Sequence, residues 1–485
     1  MSEQTLKQKT TAGFFWSFLE RFFVQGVQFI LQIVLARLLF PSDFGLIAMM
    51  TVFITLSRLF IDSGFASALI QKQNRTEEDF STVFYFNIMV CLACYLLIFV
   101  SAPYISNFYR APELKLVIRI FFISLLIDSL TSVQITKLRI ELAFKKKAIT
   151  NAIAVVVSGT IGVSMAYLGF GVWSLVMQAI TFSLVTLIVL IILVRWKPIP
   201  VFSMTSFKHL YNYGSKLLGA GLIDYLSDNL SVFLIGRYFS KNDVGYYNRG
   251  LLIPSAISNT LMSMLDSVTF PVLTSIQDDK EYLIGVFRRI VRMVSFLVIP
   301  TMTCLAFISE PFVRYVLTEK WMPIVPLMQW ICFARFFTPI NLLNMSVLTA
   351  SGRSDLYLKI NLVRLPIMLT ILIIAISIGL EAVVIGTFIM SIIGFFINSY
   401  MPGKLFGYGA KAQLKDLSPT LFSVAIMFVV MFTSTFYIEH GLLKMIVSVI
   451  TGAASYFVVS LLIKREELKE IQLLIISGYK RIRHT

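Results

Sequence analysis

The chain is 485 residues long, 57% of them hydrophobic and 14% charged, with a formal net charge of +16. Its mean hydropathy of +0.82 excludes the classes of water-soluble domain, and the lack of period-2 alternation excludes an outer-membrane barrel. What remains is an all-α polytopic membrane protein, in which the excess of 42 Lys and Arg over 26 Asp and Glu is a matter of loop charge and nucleic acid is not an expected partner.

A spanning helix needs about 20 apolar residues, and about fourteen such runs follow one another. With the N-terminus inside, roughly 27 Lys and Arg lie beside cytoplasmic segments and roughly 9 beside external ones, so both termini are expected in the cytoplasm. The first run is too long for a cleavable signal peptide and lacks a small-residue cleavage pattern.

The first predicted helix, 14–38, carries Arg21, Gln25, Gln28 and Gln32 at helical spacing, which makes one polar stripe. The second, 44–70, holds Arg58 and Asp62 one turn apart; they either neutralise each other or line the same cavity. The third covers 80–104, and the fourth, 114–136, holds Arg119 and Asp128 ahead of a basic cytoplasmic loop at 139–147. Helices five and six, 148–168 and 172–194, are nearly free of charge. The stretch 195–208, with Pro198 and Pro200, reads as a cytoplasmic linker between halves.

The seventh predicted helix, 217–239, contains Asp224 and Asp228 at i and i+4, with Ser231 continuing their face. A carboxylate in a bilayer core costs several kcal/mol, so these two point to a bundle interior or a wet cavity. Together with Asp62 they are the candidates for ion coupling, with H⁺ or Na⁺ as the coupling ion. Pairing with Arg21 or another cavity arginine is the alternative.

Arg37, Asp43 and Gly45 recur two hundred residues later as Arg237, Asp243 and Gly245, each set spanning the end of one apolar run, a short polar loop and the start of the next. The pattern implies one inherited bundle used twice, with each Asp placed to cap the helix that follows it. The expected organisation is a six-helix bundle over 1–194, a linker over 195–206, a second bundle over 207–405, an additional helix pair over 406–463 and a tail over 464–485.

The eighth predicted helix, 245–271, includes Asp266. The ninth begins at 282 with Arg288, Arg289 and Arg292 in its first turns, read either as snorkelling anchors or as a cytoplasmic entry point for an anionic headgroup. Arg335 falls in the tenth, 323–349, Arg364 in the eleventh, 357–378, and the twelfth covers 382–400. Helices thirteen and fourteen, 417–437 and 442–463, have no counterpart in the first half and almost no buried polarity. In the tail, Leu468, Ile471 and Ile475 share a face, which suggests a short helix lying on the cytoplasmic leaflet.

Membrane acyl or glycosyl transfer needs a base or nucleophile constellation at one depth. His209, His440 and His484 fall in a linker, a turn and the tail, no Walker pattern is present, and Cys91, Cys94, Cys304 and Cys332 lie in apolar runs. The chain is therefore not read as an enzyme, and no cofactor or metal is expected. The buried cations instead suggest an anionic cargo, because guanidinium suits bidentate phosphate contact. The candidate substrate-binding set is Arg21, Gln25, Gln28, Gln32, Arg58, Arg119, Arg335 and Arg364, with pairing of each arginine to an acid as the alternative.

The loop Asp243, Val244, Gly245, Tyr246, Tyr247, Asn248, Arg249, the stretch Phe270, Pro271, Val272, Leu273 with Gln277 and Asp278, and the segment from Trp321 to Pro326 resemble polysaccharide flippases of the MOP superfamily. The likeness is greatest to the branch that exports lipopolysaccharide and colanic-acid precursors, and it runs along nearly the whole chain. It implies two six-helix bundles facing each other across a cavity, two extra C-terminal helices and alternating access. It also implies a multi-pass protein of the bacterial inner membrane, working as a monomer, that moves an undecaprenyl-diphosphate-linked oligosaccharide to the outer leaflet. Membrane lipids, a polysaccharide polymerase and the chain-length machinery are the further partners of such a protein. A multidrug or cation antiporter of the same superfamily and a non-transporting scaffold of glycan assembly are the competing readings.

Overall fold

The computed structural model describes residues 23–62, 64–276, 279–438, 440–463, 465 and 467–468. Among them α1 is Phe23–Leu38, and α2 Pro41–Asp62, α3 Phe65–Gln71, α4 Glu77–Phe108, α5 Leu114–Ile140, α6 Phe144–Tyr167, α7 Val172–Val194, α8 Met204–Tyr238 and α9 Lys241–Ser275 follow. The remainder is α10 Lys280–Phe312, α11 Ile324–Ala334, α12 Thr338–Ala350, α13 Ser354–Ile378, α14 Leu380–Phe406, α15 Ala410–Thr435 and α16 Gly441–Leu462. No strand occurs among the described residues, and eleven stretches of described helix are long and apolar enough to cross a bilayer. Helices α1, α8 and α9 stand at the other three positions where the sequence predicts a span.

The chain divides into two compact units, residues 1–245 and 246–485. In the first, α6 packs on α7, α4 and α7 on α5, and α2 on α8. Helix α8 begins well ahead of the apolar run predicted from 217, because the Ser203 hydroxyl accepts the Ser206 N–H at 3.3 Å and caps it there. Its first turns bring Phe207 and Leu210 into a cluster with Phe65, Leu69 and Phe80; hydropathy marks where a helix meets lipid, not where it starts. The segment before it is strapped to the start of α4, with Trp196 Nε1 donating to Glu77 at 2.7 Å and the N–H groups of Ile199 and Ser203 donating to Ser81 and Thr82, each at 3.0 Å. Gly64, at φ +72°, splits the predicted helix 44–70 into α2 and α3, a conformation that glycine adopts without a Cβ penalty.

Asp43 and Asp243 act one turn further in than the sequence suggests. Asp43 accepts the backbone N–H of Phe40 at 2.9 Å, and Asp243 accepts that of Ser240 at 3.1 Å while the Ser240 hydroxyl accepts the Asp243 N–H at 3.2 Å. Each aspartate thus reaches back from the first helical turn, as the third member of a capping box does. The repeated glycines meet directly. A Cβ on Gly45 would fall on the carbonyl of Lys241, and one on Gly245 would fall on the carbonyl of Pro41. The first turns of α2 and α9 therefore touch backbone to backbone.

In the second unit α10 is the central element, contacting α11, α12, α15 and α16 through Phe287, Val291, Val294, Ile299 and Met302, all at most 2% exposed. The predicted tenth helix is broken at residues 335–337, with Pro339 in the first turn of α12, where its missing N–H leaves no bond unmade. Helices α15 and α16 carry more buried polarity than predicted: Gln413, Thr420, Ser423, Thr435, Ser448 and Ser460 are all at most 1% exposed. Several of these hydroxyls bond back to a carbonyl one turn earlier, which is why hydropathy passes over them. Arg465, Glu467 and Leu468 also pack inward rather than along the surface. Arg465 and Glu467 pair at 3.0 Å with side chains 6% and 5% exposed, and Leu468 enters the core around α10. Ile471 and Ile475 lie outside the described residues.

Candidate functional site

Within the first unit, α1, α2, α5, α6 and α7 line a half-open cavity of about 330 Å³. Gln28 and Gln32 face it from α1, Arg58 from α2, Ser124 from α5, Ser158 from α6 and Gln178 from α7. Two glycines of α6 let the walls close in: Gly159 lies against Leu31 and Gly162 against Gln178, each too near to admit a Cβ without displacement. The hollow is lined by amides, hydroxyls and one guanidinium inside an otherwise apolar bundle. It can take hydrogen bonds from a polar ligand and offer a positive charge to an anionic one.

Arg58 does not pair with Asp62, one turn along its own helix. Its Nη2 donates at 2.8 Å to Oδ2 of Asp128 on α5, with the two side chains 58% and 31% exposed. Asp62 is exposed at the end of α2. An accessible pair of this kind contributes little net stability and leaves the guanidinium able to change partner.

The other predicted residues lie apart from this cavity or outside the described residues. Gln25 is exposed on α1. Arg119 donates through Nε and Nη2 to the carbonyl of Phe99, both at 3.1 Å, and its guanidinium lies 4.1 Å from that residue's ring centre. In the second unit Arg335 sits at the break between α11 and α12 and donates to Ser255 of α9 at 2.7 Å. Arg364, on α13, stands against Gly394 of α14 and near Asn341 of α12. Arg21 lies outside the described residues, as do the side chains of Asp224, Asp228 and Asp266 on α8 and α9.

The three arginines at the start of α10 are partly committed. Arg288 grips Asp416 of α15 through two nitrogens, its Nη2 at 2.7 Å, while Tyr408 donates to the same carboxylate at 3.0 Å. Arg292 lies 3.8 Å from Glu467, and Arg289 is exposed. A second hollow, about 360 Å³, opens in the first unit among Asp43, Glu113, Trp173 and Lys241. There Lys241 donates to Glu113 at 2.9 Å, and that bond holds the Glu113 carboxyl below the usual carboxylate range.

Sequence reasoning missed Ser124, Ser158 and Gln178 in the first cavity, and Asn341, Asn344, Asn398 and Gln413 in the second unit. Asn344 and Gln413 exchange amide bonds at 3.1 and 2.7 Å across α12 and α15. A signal existed in Asn341 and Asn344, whose three-residue spacing places them on one helix face.

The fold is similar to that of the lipid II flippase MurJ in its inward closed conformation, with a TM-score of 0.76, 16% identity, and coverage of 94% of this chain and all of that one. It is also similar to an inward-facing MATE multidrug transporter of the MOP superfamily, with a TM-score of 0.57 and 16% identity over 80% of this chain and 96% of that one. These two likenesses define the class of the fold, a bundle of membrane-spanning helices of the kind seen in those transporters. Residues 34–326 match the family model described as polysaccharide biosynthesis protein, and the chain belongs to that family. It is 25% identical over 415 residues to the teichuronic acid biosynthesis protein TuaB of Bacillus subtilis strain 168, covering 82% of this chain and 84% of that one. It is 27% identical over 370 residues to the lipopolysaccharide biosynthesis protein WzxC of Escherichia coli K12, covering 74% of each.

Proposed function

We propose that the protein carries an undecaprenyl-diphosphate-linked oligosaccharide from the inner to the outer leaflet of a bacterial inner membrane by alternating access. The observation that bears the most weight is the first-unit cavity, where Gln28, Gln32 and Arg58 converge with serine and glutamine side chains from three further helices. Amides and hydroxyls suit the hydroxyls of a sugar, and a guanidinium whose acid partner is accessible suits a phosphate that competes for it. Family membership and relatives named for teichuronic acid and lipopolysaccharide biosynthesis support the same cargo class.

Asp224 and Asp228 remain the proposed coupling pair. Two carboxylates one turn apart in a bundle repel when both are ionised, so proton or Na⁺ binding would alter the charge of that face and bias one arrangement over another. The proposed topology has fourteen spans in bundles over 1–194 and 207–405, with both termini cytoplasmic.

The deciding experiment is reconstitution with a fluorescent undecaprenyl-diphosphate oligosaccharide and measurement of its leaflet exchange. Exchange above protein-free vesicles, reduced at least tenfold by Arg58→Gln together with Gln28→Leu, is the expected result. Exchange equal in both proteins would remove the cavity from the reading, and gradient-driven efflux of an organic cation without lipid exchange would favour the antiporter.

A further inference from the structure

The second unit holds a positive charge on a partly buried side chain. Arg364 sits in the middle of α13, and among the described residues no carboxylate pairs with it. The acids along its neighbouring helices are remote. Asp355 lies about 13 Å earlier on α13 by helical rise and is already paired with Arg353 at 3.0 Å. Glu381 lies about 20 Å from the level of Gly394 on α14. The Arg364 Nε is buried without a hydrogen-bond partner.

The surroundings are neutral carboxamides, whose nitrogens can donate and whose oxygens, at Asn341 and Asn398, are buried without a partner. Gly394 leaves room beside the guanidinium, since a Cβ there would stand 3.8 Å from the Arg364 Nε and 3.4 Å from the Asn341 Nδ2. Asn341 uses one amide hydrogen on the carbonyl of Ser391 at 3.2 Å and keeps the other. One turn from Gly394, on the same face of α14, Asn398 is 0% exposed and neither its Nδ2 nor its Oδ1 has a partner. A fully buried carboxamide with nothing bonded is costly, as is a guanidinium without a counter-charge.

We propose that Arg364, Asn341 and Asn398 form a seat for a small inorganic monoanion of halide type, enclosed by α12, α13 and α14. One guanidinium balances one negative charge, and the amide hydrogens of the two asparagines complete the shell. A phosphoryl dianion would bring two negative charges to a single cation. This seat is independent of the cargo reading above, which rests on the first unit.

Thermal unfolding of the purified full-length protein, followed by tryptophan fluorescence, tests the seat in sodium chloride, sodium gluconate and sodium phosphate at equal ionic strength. Chloride is expected to raise the midpoint by several degrees over gluconate, with a saturable dose dependence. Arg364→Gln should abolish the chloride-dependent shift, and Asn398→Ala should raise the half-saturating chloride concentration about tenfold by removing a bond to a charged ligand. Arg353→Gln, at an exposed pair, should leave the shift intact. Equal midpoints in chloride and gluconate overturn the proposal. So does a shift with phosphate alone, a shift undiminished in Arg364→Gln, or a shift lost in Arg353→Gln. If Arg364→Gln does not fold, Asn398→Ala and Asn341→Ala carry the test, and half-saturation unchanged in both overturns it.

Discussion

The first-unit cavity and the core of the second unit solve the same problem in opposite ways. Around the cavity, Arg58 and Asp128 meet with side chains 58% and 31% exposed; around α10, Arg465 and Glu467 meet at 6% and 5% exposed, and the Arg465 Nη2 also donates to Thr420 at 2.8 Å. The first pair is accessible, gives up little when separated, and can exchange one partner for another. The second has lost its water, so each charge depends on the other and the helices that carry them are held together. Exposure therefore distinguishes a charge available for binding from one that maintains packing, even though both arginines look alike in an apolar sequence.

The largest expected effect is in the buried pair. Glu467→Ala leaves the Arg465 guanidinium buried without its partner and should cost about 3–5 kcal/mol, read as a loss of folded protein by size-exclusion chromatography and a lowered unfolding midpoint. Replacing both residues with Met should recover much of the loss; a double variant as unstable as the single one would break the contrast between the regions. Next is Gln413→Leu, which strands the Asn344 amide in a buried site and should cost about 1–3 kcal/mol. Arg58→Gln should change stability by less than about 1 kcal/mol while lowering lipid exchange, and a variant as unstable as Glu467→Ala would show that the cavity charge is structural.

The smallest effect concerns Glu113. Its carboxyl is depressed below the ordinary value of 4.5 by the bond from Lys241, so its contribution is present above that value and lost as the pH falls through the lower, folded value. With side chains 52% and 41% exposed, solvent screening limits the contribution to at most a few tenths of a kcal/mol. Unfolding midpoints of wild type and Glu113→Gln should differ slightly at pH 6 and converge towards pH 3.

The all-helical membrane fold was legible because a bilayer imposes a length on every apolar run, and that constraint acts on the sequence directly. Three kinds of feature were not. Partner choice is one: Arg58 passes over Asp62 for Asp128, seventy residues away, and local spacing carries no information about which helix lies opposite. Helix interruptions are another, since the gap at 335–337 falls inside a run whose hydropathy continues unbroken. The third is neutral buried polarity. Asn398 and the hydroxyls of α15 and α16 scarcely change a hydropathy average, although each must find a bond or bear the cost of lacking one. Of the polar residues spaced along α1, Gln28 and Gln32 line the first hollow and Gln25 does not.

The meeting of Gly45 with Gly245 has an entropic consequence. Because backbone rests on backbone there, making or breaking the contact immobilises or releases no side-chain rotamers, and ordering a long side chain at such a seam would cost as much as about 2 kcal/mol. Alanine at either glycine would act as a wedge at the crossing, holding the two first turns apart by roughly the width of a methyl group.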